Sequence, residues 1–349
     1  MPADTRFPKR QGIADPLRAK CQINTKRLND YRVIVSYCLG ADPNYRYTHD
    51  LMKALRTPMP APMLYPSLFK SLESVRWNME SDIPWDTFDA SKLSDEQAQT
   101  IRYNAITEWA ALPATEMFLR DNRHDSDFSA FMSVWFFEEQ KHSLVLMEYL
   151  RRFRPDLVPT EAELHAVRFE FDPAPALDTL MLHFCGEIRL NHWYRRASEW
   201  HTEPVIKSIY EHISRDEARH GGAYLQYMKK AINQVGDAAR ISFAKIGVLM
   251  ASAKRTSKAL HPTNLHVNKA LFPNDTIQSR LPEPAWLEHW LDQQIRFDDI
   301  WETKVVDRIL HNLSLLFERT FASAQDLNRY RKELGKQLDR LPEQQVQPS

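Results

Sequence analysis

Four long segments of helical apolar periodicity, separated by prolines and joined short, long, short, restrict this chain more than any other feature. The first opens at Leu93 with LSDEQAQTIRYNAITEWAALPATEMFLRD. Ser94 serves as its N-cap, and acidic residues in the first turn complement the helix dipole. Pro113 predicts a kink about one turn beyond Glu108. After the polar break NRHDSD comes SAFMSVWFFEEQKHSLVLMEYLRRF, with Asp127 or Ser129 as its expected cap and Pro155 as its stop. The connection over 155–175 contains Pro155, Pro159, Pro173 and Pro175. The third segment, ALDTLMLHFCGEIRLNHWYRRASEWH, ends before Pro204, where the fourth begins. Short links make antiparallel neighbours, and the long link carries the second hairpin across the first.

Outside these segments the chain reads differently. Residues 1–66 form an irregular N-terminal arm, because PMPAPMLYP (58–66) cannot be regular helix. The bundle is expected over 67–265 and a C-terminal helical extension over 266–349. There AWLEHWLDQQIRFDDIWETKVVDRILHNLSLLFERTF reads as an outer helix pair or one bent helix, followed by a disordered tail, LPEQQVQPS. Only 8 glycines occur in 349 residues, which suits long helices better than a many-turned sheet. With 46 basic and 46 acidic residues, the chain lacks the basic excess of a general nucleic-acid binder. No apolar run reaches the roughly 18 residues of a membrane span; Lys245 interrupts the nearest, Ile241 to Ala253. The three cysteines, Cys21, Cys38 and Cys185, are odd in number and widely spaced, so a reduced, cytoplasmic setting is expected. The N-terminus has no apolar secretory core.

The chemistry resides in a repeated pattern. The second segment contains Glu139-x-x-His142 and the fourth contains Glu217-x-x-His220. Three-residue spacing puts both side chains of each pair on one helix face. One copy is weak evidence; two at matched depth are strong. Glu108 lies 31 residues before Glu139, and Glu187 lies 30 before Glu217, so equal hairpin arms bring each pair level. Glu116 is the rival on the first segment, but only Glu108 matches the hairpin spacing. The flanks AITEWAAL and HFCGEIRL are mostly apolar, so these carboxylates are expected to be buried and to need compensating charge. Four glutamates and two histidines are the ligand set of a carboxylate-bridged metal pair: two iron ions, with manganese as the alternative. Without metal, the same residues would be surface charges and core histidines of an ordinary bundle. Glu138 and Asp216 precede the two motif glutamates at equivalent places. Ligating imidazoles usually give their other N–H to a carboxylate, so these two are expected to accept from His220 and His142. Connectivity and ligand set together predict an all-α, ferritin-like four-helix bundle with a long crossover between helices two and three.

At these residues the sequence resembles the soluble acyl-(acyl carrier protein) desaturases, over about residues 95–265, half of the chain. The segment ITEWAALPATEMF is similar to the family's first ligand segment. EEQKHS and DEARHG stand where the family has EENRHG and DEKRHE, and the following Ala223-Tyr224 is shared. GEIRLNHWYRRAS matches more loosely, at Glu187 and Arg189. LHPTNLHV (260–267) is distantly similar to a later family segment, and Trp135 has a family counterpart. Leu190 occupies a position where the family usually carries threonine. The resemblance implies ligand roles for Glu108, Glu139, His142, Glu187, Glu217 and His220. It also implies O2-dependent oxidation of an aliphatic, acyl-carrier-bound substrate and a ferredoxin-like electron donor; a homodimer is expected.

Phe128, Met132, Phe136, Leu180 and Phe184 could line an acyl channel or simply fill the core. An acidic carrier protein would need a basic patch; RRFR (151–154), RR (195–196) and KRTSK (254–258) qualify, although a solvated helix face explains any single one better. Trp135 is either an electron relay or a packed aromatic. Other readings keep the bundle and change the chemistry: N-oxygenation or hydroxylation of a small molecule, non-catalytic iron storage, or a metal-free structural bundle.

Overall fold

The computed structural model describes residues 63–251, 263 and 301–340, and all regular structure among them is helical. The arm up to residue 62, Cys21, Cys38, KRTSK, LHPTNLHV apart from Thr263, residues 264–300 and the tail 341–349 lie outside the described residues.

Helix α1 spans Tyr65–Glu73 and opens with Pro66 in its first turn, where a missing N–H costs nothing. Helix α2 (Asp95–Trp109) begins at Ser94, whose hydroxyl accepts from Gln97 N while the Gln97 side chain returns the bond to Ser94 N. The helix is interrupted at Ala110 and resumes as α3 (Ala111–Asp121). Pro113 cannot donate to the carbonyl of Trp109, so the hydrogen-bond ladder opens one turn before it, where Ala110 N bonds to Thr107 O.

Helix α4 (Ser126–Phe153) ends before Pro155 as expected, but its cap is Asp125, not Asp127 or Ser129. The Asp125 carboxylate accepts from Asp127 N and Phe128 N, which starts the helix earlier. Asp127 instead accepts from Leu64 N and Tyr65 N and pairs with Lys230 at 2.8 Å, tying α1 to the bundle. The crossover carries a short helix, α5 (Glu161–Ala166). Helices α6 (Ala176–Trp200) and α7 (Pro204–Val235) are joined by three residues and pack along their lengths. Their partners complete the arrangement: α2 and α3 pack on α4, α4 on α7, and α3 on α6.

Helix α8 (Asp237–Met250) lies against α6 and α7, and the C-terminal helices α9 (Trp301–Phe317) and α10 (Ala324–Arg340) pack on it. At Gly247 a Cβ would meet Leu313 Cδ1 at 2.8 Å and Leu327 Cδ2 at 3.0 Å, so glycine permits that close approach. No described helix is long and apolar enough to cross a membrane.

Among the described residues the interior has two large hydrophobic clusters and a small third one of Ile106, Ala110 and Val167. One large cluster gathers Phe118, Phe131, Trp135, Phe184, Ile188 and Tyr224 with the C-terminal helices; the other gathers Ile101, Ala105, Leu146, Tyr149, Tyr194 and Ile213. Helices α4, α6 and α7 each pass from one of these clusters to the other, α2 and α3 do so together, and the glutamates and histidines of interest lie at the crossing. Phe128, Met132, Leu180 and Phe184 are buried in the first cluster, with Phe136 packed against it.

Candidate metal centre

Each helix brings its carboxylate or Glu-x-x-His pair to that crossing. Glu108, Glu139, His142, Glu187, Glu217 and His220 are all buried. They form two four-residue groups: Glu108, Glu139, His142 and Glu217; and Glu187, Glu139, His220 and Glu217. Within each group one candidate ligand atom per residue lies within 4.8 Å of the others. Glu139 and Glu217 belong to both groups. The imidazole centroids are 6.0 Å apart.

Each half has the same plan. His142 Nδ1 lies 3.6 Å from Glu108 Oε2, 3.9 Å from Glu139 Oε2 and 3.6 Å from Glu217 Oε1. His220 Nδ1 lies 3.5 Å from Glu187 Oε2 and 3.6 Å from Glu217 Oε2. It is also 2.8 Å from Glu139 Oε1, but out of line for a hydrogen bond. Behind each ring stands a carboxylate: His142 Nε2 is 3.0 Å from Asp216 Oδ2, and His220 Nε2 is 3.0 Å from Glu138 Oε2. An ionised carboxylate can only accept, so Nε2 carries a proton and Nδ1 is the ring nitrogen turned inward, free to serve as a metal donor once it gives up any proton of its own. Arg219 links the two carboxylates behind the rings, donating to Glu138 Oε1 at 3.0 Å and to Asp216 Oδ1.

Three aromatic side chains complete the surroundings. Trp135 Nε1 donates to Glu187 Oε1 at 3.0 Å, so its indole holds an outer carboxylate. Tyr194 OH donates to Glu108 Oε1. Trp77 Nε1 donates to Asp216 Oδ2 at 2.8 Å, and the ring stacks on His212 and lies beneath Lys141 Nζ. Sequence reasoning singled out Trp135, Asp216 and Glu138 but missed Tyr194, Trp77 and Arg219. Tyr194 carried a signal, since it lies two helical turns beyond Glu187. Trp77 sits between regular elements, where no periodicity marks it.

Arg151 and Arg152 pair with Glu148, Arg154 with Asp95 and Asp156, and Arg196 with Glu199.

Electrostatics set the centre apart from an ordinary core. Burial, then the charge of Glu187, pushes Glu139 up to about 7. Burial and the neighbouring Glu139 and Glu187 hold Glu217 well above the carboxylate range. Burial opposes a charged His142, yet Asp216 and Glu108 outweigh it and push it up to about 10. Asp216 moves the other way: burial would raise it, but the His142 hydrogen bond and the nearby cations hold it below the usual range. The inward atoms Glu139 Oε1, Glu187 Oε2, both Glu217 oxygens and both histidine Nδ1 atoms have no hydrogen-bond partner. A core built for stability pairs such atoms, because leaving each unpaired costs about 1–3 kcal/mol. Unpaired carboxylate oxygens and imidazole nitrogens converging on one spot are what a metal cation needs, so the residues present fit a metal site. No family model matches the chain, and no curated protein matches it.

Proposed function

We propose that this chain is a ferritin-like, di-iron, O2-dependent oxidoreductase acting on an aliphatic substrate. One observation carries the reading: two buried Glu3His groups share Glu139 and Glu217 and leave six inward oxygen and nitrogen atoms without hydrogen bonds. Shared carboxylates suit a bridged pair of ions, and an oxygen-rich set with one imidazole per ion suits iron, with manganese as the competitor. Glu139 and Glu217, common to both groups, would serve both ions, with Glu108 and His142 completing the donors to one and Glu187 and His220 those to the other. Bound ferrous iron would supply the electrons that reduce O2 for attack on an unactivated C–H bond.

The remaining work falls to the protein. Asp216 and Glu138 fix the imidazole tautomers, and Arg219 offsets the charge of both. The two hydrophobic clusters keep bulk water from the layer between them. The similarity of ITEWAALPATEMF, EEQKHS and DEARHG to acyl carrier protein desaturases favours an acyl chain as the substrate and a ferredoxin-like protein as the electron source. Leu190 supplies no hydroxyl where those enzymes usually have one, so hydroxylation is as compatible with this site as desaturation.

The test is anaerobic loading with Fe(II), counting of bound iron, and exposure to O2 under optical observation, followed by analysis of acyl products. Two iron ions per chain and an O2-dependent ferric absorption are expected. Fewer than two ions would refute the dinuclear proposal; two ions without O2 reactivity would refute the oxidoreductase.

A further inference from the structure

The two outer carboxylates are held in a way that the bridging pair is not. Glu108 Oε1 accepts from Tyr194 OH, while its Oε2 lies toward His142 Nδ1 at 3.6 Å. Glu187 Oε1 accepts from Trp135 Nε1 at 3.0 Å, while its Oε2 lies toward His220 Nδ1 at 3.5 Å and has no hydrogen-bond partner. Each outer carboxylate therefore has one oxygen tied outward by an aromatic donor and one turned inward. The donors come from different helices: Tyr194 on α6 restrains a residue of α2, and Trp135 on α4 restrains a residue of α6.

Both donors are themselves fixed by packing. Tyr194 is buried, stacks on Tyr210 with centroids 5.6 Å apart, and meets Trp193 edge-on at 5.2 Å. Trp135 is buried against Phe118 edge-on at 5.6 Å and against His220 at 6.3 Å. Neither ring can swing away without disturbing a hydrophobic cluster, and hydrogen bonds to an ionised carboxylate are about twice as strong as neutral ones.

We infer that Tyr194 and Trp135 are positioning residues that limit Glu108 and Glu187 to one metal-facing oxygen each, so that every ion takes four protein donors and keeps open positions for oxygen or substrate. The four are one imidazole nitrogen, one outer oxygen and one oxygen from each of Glu139 and Glu217. This rests on the dinuclear reading above, but it can fail independently. Were the outer carboxylates to chelate, each ion would gain a fifth protein donor and the site would lose open positions.

Cobalt(II) reports the difference without catalysis, because four- and five-coordinate Co(II) absorbs visible light more strongly than six-coordinate Co(II). The full chain is loaded with Co(II), and its spectrum and stoichiometry are recorded for the unaltered protein and for Tyr194→Phe, Trp135→Phe and Tyr224→Phe. Tyr224 is equally buried, but its hydroxyl has no partner, so Tyr224→Phe is the control. The unaltered protein is expected to bind two Co(II) with strong visible bands. Tyr194→Phe and Trp135→Phe should each lose intensity from one ion as the released oxygen joins it, and Tyr224→Phe should lose none. Two Co(II) with spectra unmoved by both substitutions would overturn the inference and leave the dinuclear reading intact. Fewer than two Co(II) in the unaltered protein would remove both. Helical circular dichroism checks folding, and the two clamp substitutions lie on different helices, so either one that folds decides the question.

Discussion

Glu203 and Glu217 lie on the same helical segment, fourteen residues apart, and both are fully buried, yet their surroundings are opposite. Glu203 caps α7, accepting from Val205 N at 3.2 Å and Ile206 N at 2.9 Å. It also accepts from Tyr149 OH at 3.0 Å and Asp89 N at 3.3 Å. Neither oxygen of Glu217 has a hydrogen-bond partner. The first carboxylate is satisfied by the protein, and the second faces other ligand atoms across a small gap. Burial alone therefore does not mark a functional carboxylate; burial without donors does. For the histidines the distinguishing feature is instead the carboxylate behind the ring. His142, backed by Asp216, is pushed up to about 10, whereas burial alone drives His201 down to about 4, with neither ring nitrogen bonded.

Substitution at the capping carboxylate should have the largest effect. Glu203→Leu orphans the donors that converge on it and should cost roughly 3–5 kcal/mol of metal-free stability, read by urea unfolding. Glu217→Leu should act in the opposite direction, raising metal-free stability by on the order of 1–3 kcal/mol while reducing bound metal below two ions per chain. Equal losses from both substitutions would erase the distinction.

The histidine contrast predicts a pH dependence. His201 takes up its proton near pH 4 when folded and near about 6.5 when unfolded. Its contribution is thus full above pH 6.5 and is lost as pH falls toward 4, by on the order of 2–3 kcal/mol. His201→Phe should flatten that part of the stability profile of the metal-free protein, and an unchanged slope would assign the loss to other groups. The smallest effect is expected behind the imidazoles. Asp216→Asn or Glu138→Gln should weaken metal binding by roughly 10-fold, about 1.4 kcal/mol, in a calorimetric titration. An unchanged affinity would show that the carboxylates do not orient the rings.

Much of this architecture was legible before any coordinates. Helical hairpins convert sequence spacing into depth, so intervals of 31 and 30 residues sufficed to align Glu108 with Glu139 and Glu187 with Glu217. The stops at Pro155 and Pro204 followed from proline's missing N–H. Capping was less legible: Asp125, Asp127 and Ser129 are all competent, and the choice depended on the distant Leu64, Tyr65 and Lys230, which recruit Asp127 for another purpose. Tyr194 and Trp77 were overlooked because an aromatic residue with a polar tip reads as core until its hydrogen-bond partner is known. Trp135 reads from sequence as either an electron relay or a packed aromatic, and neither reading anticipates the hydrogen bond from its indole N–H to Glu187.

The most direct test of the central claim is anomalous diffraction from crystals soaked with Mn(II). Two peaks about 3.5–4 Å apart are predicted, one beside each histidine Nδ1 and both spanned by Glu139 and Glu217. A single peak, or metal bound away from these side chains while the crossing between the hydrophobic clusters stays empty, would contradict it.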